Sequence, residues 1–358
     1  MNYKKPKILV TFREDGKNGG PYISHKRIVE SCLSEKYDFQ PFFIPNPRRL
    51  RSPKIFFKIV KQIKKAKPDF VYLAGLQLEG FLMTLACKIA RVKAVVVVHG
   101  SSTEALGFNW FSNFIFKCME SFTVRNATVV HGVSDYVSSW EICRKAKNYY
   151  GTIYNIADFS KSSFEEPYIR KELGIADSDI VITSTGRIVR DKGFDVLCQV
   201  AKCFKDNENV KFVIAGDGVY KKEWQKEIEA EGLSDKVFLL GYRNDIDGIL
   251  QETDIFIICT KHETLCNSLL EAGNHSLPLI ASNVGGIPEI IDNGKNGFLV
   301  SVGDVEGFKN ALLKLIEDAD LRINMGKEAK NKIDSNFSES MITSKLDELY
   351  NYVLGVKK

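Results

Sequence analysis

Short apolar runs alternate with longer stretches of helical period along most of this chain. In the first half the pattern predicts strands over 7–12, 39–44, 70–74, 94–99, 128–131 and 152–154. Helices are expected between them, over 24–35, 52–66, 80–90, 110–124 and 135–145. Residues 157–170 are polar, with serine and proline, and break the rhythm as a linker does. The alternation then resumes, with strands over 180–184, 210–215, 237–240, 254–258 and 279–281. Further helices are expected over 194–204, 221–230, 267–274, 305–317, 321–335 and 338–354. Unbroken apolar strands, such as the four valines before His99, suit a parallel sheet covered on both faces. The repeated strand–helix unit predicts an α/β protein of two Rossmann-like, doubly wound domains, over 1–160 and 161–337.

Composition agrees with that division. A chain of 358 residues is long for one domain and comfortable for two. Its 44% hydrophobic and 27% charged residues are those of a soluble globular protein. It has no run of about 18 apolar residues, the length a spanning helix needs. The opening M-N-Y-K-K-P leads straight into I-L-V-T-F, too short for the core of a signal peptide, so export is not expected. The eight cysteines form no C-x-x-C pair and no His–Cys ligand spacing. No metal is therefore expected, and thiols such as Cys87, Cys198 and Cys259 read as small buried hydrophobes in a reducing, cytoplasmic setting.

The candidate chemistry is concentrated in 259–288, C-T-K-H-E-T-L-C-N-S-L-L-E-A-G-N-H-S-L-P-L-I-A-S-N-V-G-G-I-P. An apolar strand ends there, a polar loop carries Glu263, and a short helix carries Glu271. A loop running into a helix start offers free N–H groups and a positive dipole end to a phosphate. Carboxylates on either side can accept from sugar hydroxyls. Ser268 and Glu271 also fit an S-x-x-E capping box, which needs no ligand.

E-x7-E after a strand, followed by N-V-G-G-I-P-E-I-I and N-G-F-L-V, resembles the donor site of family 4 retaining glycosyltransferases. The resemblance is strong over 180–340 and loose in the first half. Where the family usually has Phe-Gly, this chain has Leu265-Cys266. The resemblance implies the GT-B fold, with a cleft between the domains and a terminal helix, within 338–358, that returns to the first. It implies metal-independent transfer, with no cofactor beyond the nucleotide-sugar substrate. Glu263 would hold donor sugar hydroxyls, Glu271 the ribose, and the backbone of Thr264, Leu265, Cys266 and Asn267 the phosphate. In S-T-G-R-I-V-R-D-K-G, Arg187 and Lys192 match the family's R-x4-K, two fixed cations for a departing diphosphate. Gly216, Asp217 and Gly218 close a strand and suit the walls of a nucleoside site. In the first domain, His99 would hold the donor sugar's outer hydroxyl, while Gly19 and Gly20 would face the phosphate or the acceptor.

Charge adds a partner. Residues 48–67 hold nine basic residues and no acid. Lys54, Lys58, Lys61 and Lys65 recur on one helical face, with Phe56, Ile59, Val60 and Ile63 on another. Such a stripe fits an anionic membrane surface. Residues 107–117 are rich in aromatics: Trp110, Phe114 and Phe111 share a face that suits the core, and Phe108 and Phe116 suit a lipid-tailed acceptor. The basic excess is too local for a nucleic-acid binder. The expectation is therefore a retaining enzyme that moves a hexose or N-acetylhexosamine from a UDP-sugar to a glycan or polyprenyl-diphosphate-linked acceptor. Its expected setting is bacterial O-antigen or polysaccharide synthesis, on the inner face of the cell membrane. A UDP-sugar epimerase of the same architecture and a non-enzymatic sugar-binding protein are the alternatives.

Overall fold

A computed structural model of the chain describes residues 4–14, 19–101, 110–157 and 168–356. Most of the expected linker, Phe108, and part of the loop before Gly19 lie outside the described residues. Two compact units are present, Met1–Ala157 with Ser338–Lys358, and Asp158–Phe337.

The first unit holds β1 (Lys7–Arg13), β2 (Asp38–Ile44), β3 (Phe70–Ala74), β4 (Lys93–Val98), β5 (Val129–Gly132) and β6 (Tyr149–Thr152). They form one parallel sheet in the order β2-β1-β3-β4-β5-β6. The second unit holds β7 (Ile180–Thr185), β8 (Val210–Ala215), β9 (Val237–Gly241), β10 (Ile255–Ile258), β11 (Leu279–Ser282) and β12 (Gly297–Val300). Its sheet is also parallel, in the order β12-β11-β10-β7-β8-β9. In both, helices cover the faces, so β3, β4 and β10 are buried almost throughout.

Several expected elements are interrupted by their own polar side chains. The helix expected over 24–35 is Gly20–Glu30 followed by a 3-10 turn, Cys32–Glu35. Ser31 between them is extended, and its hydroxyl bonds the Ile28 carbonyl and accepts from the Leu33 amide. The helix expected over 135–145 is two, Asp135–Ser138 and Glu141–Arg144. Ser138 and Ser139 turn their hydroxyls onto the carbonyls of Ser134 and Tyr136, and Trp140 is extended. The edge strand β6 starts earlier than expected because Tyr149 pairs with Val130 before the register slips. Strand β12 and the helix Ile169–Leu173 fall where no element was expected. That helix is started by Glu252, whose carboxylate accepts from the amides of Tyr168, Ile169 and Arg170 at 2.6, 2.7 and 2.9 Å.

Each unit has its own core. In the second, Trp224, Phe212 and Phe308 lie fully buried in one apolar cluster. In the first, the chain's last helix, Glu339–Leu354, closes the core. Its buried Tyr350 ring meets Tyr37, Phe70 and Tyr72 at 5.2, 5.3 and 5.8 Å between centroids.

Candidate active site

In the second sheet β7 lies between β10 and β8, so the connections leave it in opposite directions. Ligands of open α/β sheets bind outside the carboxyl ends of the strands at such a point. Two loops meet there. One follows β7 and contains the 3-10 turn Arg190–Lys192; the other follows β10 and runs from Cys259 to Cys266.

Backbone contacts fasten these loops together. The Lys261 amide donates to the Asp191 carbonyl at 2.8 Å. The Thr260 hydroxyl lies 3.1 Å from that same carbonyl and 3.1 Å from the carbonyl of His262. Lys261 Nζ reaches Asp195 Oδ2 at 2.7 Å. Gly193 adopts φ +69°, and a Cβ there would lie 1.8 Å from the Cys259 carbonyl oxygen, so only glycine lets the loops approach. The result is an ion pair, with Lys192 Nζ donating to Glu263 Oε1. Both side chains are largely buried, at 24% and 11% exposure, where an unpaired charge would be strongly disfavoured. An ammonium has three donors, so Lys192 can serve the carboxylate and a phosphate together.

The rest of the β10 loop is held from behind. Gly285, at φ +60°, sits so close that a Cβ would stand 1.7 Å from the Glu263 carbonyl oxygen, and the Gly286 amide lies 3.4 Å from that oxygen. Thr264, Leu265 and Cys266 then lead into the helix Asn267–Asn274. The capping-box alternative fails here. Ser268 is inside the helix, and the N-cap is Cys266. Cys266 is buried, 3.3 Å from the Ser268 hydroxyl, and its thiol is pushed up to about 12 by burial and then by the Glu263 charge. It is a packing group, not a nucleophile. Glu271 is half-buried one turn further along.

The other expected residues line the same sheet edge. Arg187 follows β7 and is exposed, and its side chain makes no hydrogen bond or ion pair among the described residues. Gly216, Asp217 and Gly218 follow β8 and pack on the β7 loop, where the Ile188 amide donates to the Asp217 carbonyl at 2.9 Å. Arg190 is turned away onto the Tyr220 ring and Glu223.

In the first unit, Gly19 is the N-cap of the helix Gly20–Glu30 and makes no side-chain cap. His99 follows β4, and among the described residues its buried Nε2 has no partner. It belongs to a group the sequence reading missed, with His25 and His131. His25 Nδ1 donates to the Thr11 carbonyl at 2.8 Å, and His131 Nε2 accepts from the Tyr72 hydroxyl at 2.8 Å. Burial holds His25 and His131 down to about 4, and holds His99 well below the ordinary range, with the neighbouring imidazoles acting in the same direction on His99. The three are neutral at pH 7. The one available signal was the position of His25 three residues before Ile28 on the helix's inner face. Thr260 was also missed; it is a small polar residue directly after an apolar strand.

The aromatic stretch corrects an expectation. Trp110, Phe111 and Phe114 are 80%, 58% and 59% exposed, so the face assigned to the core points outward. The helix Trp110–Asn126 instead buries Glu120, Thr123 and Val124, with Ser101 donating to Glu120 at 2.7 Å. Of the apolar face of the basic helix Pro53–Ala66, Ile59, Val60 and Ile63 are buried and Phe56 is half-buried. Among the described residues, Lys54, Lys58, Lys61, Lys64 and Lys65 have no ion-pair partner. No cluster of His, Cys, Asp or Glu able to hold a metal occurs among the described residues. No helix there is long and apolar enough to cross a membrane.

The profile described as "Glycosyl transferases group 1" matches residues 165–332. The Escherichia coli UDP-Gal:alpha-D-GlcNAc-diphosphoundecaprenol alpha-1,3-galactosyltransferase is 30% identical over 331 residues, covering 86% of this chain and 83% of that one. The chain belongs to the group 1 glycosyltransferases. This glycosyltransferase is also 26% identical over 315 residues to the capsular polysaccharide biosynthesis glycosyltransferase CapM of Staphylococcus aureus, covering 84% and 81% of the two chains. A crystal structure of Anabaena HepE in complex with UDP and glucose matches it with a TM-score of 0.82 at 22% identity, over 97% of this chain and 100% of that one. The two parallel α/β units of the glycosyltransferase are those of the GT-B fold.

Proposed function

We propose that this glycosyltransferase moves a hexose or N-acetylhexosamine, with retention, from a UDP-sugar to a polyprenyl-diphosphate-linked sugar in bacterial O-antigen or other surface polysaccharide synthesis. The observation that carries the reading is the Lys192–Glu263 pair. Two residues 71 apart in sequence meet at the carboxyl edge of the sheet, beside the start of the helix Asn267–Asn274. The diphosphate would lie between Arg187, Lys192 and the amides from Thr264 to Asn267. Glu263 would accept from sugar hydroxyls and Glu271 from the ribose. Gly216, Asp217 and Gly218 would flank the nucleoside. As the bond from the sugar to the diphosphate breaks, the two cations would stabilise the growing charge without a metal. The acceptor hydroxyl would bond to the same face of the sugar and pass its proton to a leaving phosphate oxygen.

Relatives support the substrate class. HepE was crystallised with UDP and glucose, and the E. coli relative is named for UDP-Gal and a diphosphoundecaprenol-linked sugar. The unpaired lysines of Pro53–Ala66 and the outward aromatics of Trp110–Asn126 add a reason to expect a lipid-borne acceptor. We assign both to contact with the anionic inner face of the cell membrane. The test is a panel of sugar nucleotides offered with a lipid-diphosphate sugar, scored by UDP release and by the anomer formed. UDP release with every nucleotide sugar at the rate of spontaneous hydrolysis, or an inverted product, would overturn the reading.

A further inference from the structure

We propose that Thr260 is a positioning residue that holds Lys192 and Glu263 in register with each other. The proposal rests on the donor site above and adds a residue to it. The Thr260 side chain is fully buried, and its hydroxyl is equidistant, at 3.1 Å, from the carbonyls of Asp191 and His262. These are the residues directly before Lys192 and Glu263. One hydroxyl proton is therefore shared between the two backbones that carry the ion pair. Threonine is stiff at χ1, so its oxygen is fixed relative to β10. Close contact between Gly193 and the Cys259 carbonyl sets how near the loops come, and the Lys261 amide fixes Asp191 alone. Among these contacts, the Thr260 hydroxyl is the one that touches both carbonyls. The consequence is a tie between the group that stabilises the leaving phosphate and the group that orients the sugar.

The ground state has other holds on the nucleotide, in Arg187 and the helix-start amides. A loosened pair should therefore show in the transition state more than in binding. The substitution Thr260→Val keeps the shape and removes the hydroxyl; Thr260→Ser keeps the hydroxyl and removes the methyl. T260V is expected to lower kcat on the order of 10-fold to 100-fold while the donor KM changes less than about threefold. T260S should recover most of that kcat, and both variants should melt within a few degrees of the parent. Wild-type kcat in T260V, or equal losses of kcat in T260V and T260S, would overturn the proposal. A loss of kcat matched by a comparable rise in KM would do the same. Glu263→Gln, assayed alongside, separates this from the donor-site reading: if E263Q turns over normally, that reading fails. The crystal structure of T260V tests the geometry directly, beside the kinetics. An unchanged Lys192–Glu263 contact refutes the positioning role, and a separated pair upholds it.

Discussion

Glu263 and Lys192 are the residues whose loss should be felt most. Glu263→Ala is expected to abolish transfer while circular dichroism still shows the parent's fold, with a lower melting temperature because Lys192 loses its partner; near-normal turnover would remove Glu263 from the site. Lys192→Ala removes a cation from the place where phosphate charge develops. It should cost about 3 kcal/mol of transition-state stabilisation, or on the order of 100-fold in kcat, read from UDP release. Both residues were legible in sequence, from E-x7-E and R-x4-K, but their contact was not, because it joins loops 71 residues apart. Thr260 and His25 were illegible for a related reason. A lone hydroxyl or imidazole announces nothing until the carbonyl it bonds is known, and Thr11, Asp191 and His262 supply those carbonyls from the chain's folding.

At the scale of elements, the loop after β10 is held by the turn behind it. Gly285→Ala forces a left-handed φ on a side chain and drives its Cβ into the Glu263 backbone. It should destabilise the second unit by at least about 1 kcal/mol and lower turnover as well. A melting curve and an assay on the same sample check both. The basic helix makes a separate prediction. Replacing Lys54, Lys58, Lys61 and Lys65 by glutamine should abolish flotation with anionic vesicles at low salt, yet leave transfer to a short, water-soluble acceptor intact. Flotation equal to the parent's would place the lipid contact elsewhere. Strand and helix alternation was readable because buried parallel strands are nearly pure apolar runs, as in β3 and β4. Hydroxyl groups at Ser31, Ser138 and Ser139 defeated it, since they bond local backbone where a periodic pattern implies continuous helix. The aromatic helix defeated it differently. Aromatic spacing marks a face but not its direction, and here the buried side is the one carrying Glu120 and Thr123.

For the whole molecule, acid should be the sensitive condition. In an unfolded chain an imidazole takes up its proton near 6.5, whereas His25 and His131 in the fold do so only near 4. Between those values the unfolded form binds more protons. Stability should therefore fall as pH drops through that window, by up to about 3 kcal/mol for each group. Melting temperatures across the interval test this; a flat profile would mean the folded chain already carries those protons. Turnover should also persist in EDTA, measured beside a sample with added magnesium, because the donor site is assigned fixed cations in place of a metal. The returning helix Glu339–Leu354 has a different consequence. Tyr37, Phe70 and Tyr72 are translated before Asp158–Phe337, but the Tyr350 ring that covers them is translated after it. On the ribosome the first unit must wait, unfinished, while all of Asp158–Phe337 emerges, and a premature stop before residue 338 would damage the unit made first rather than the one just completed.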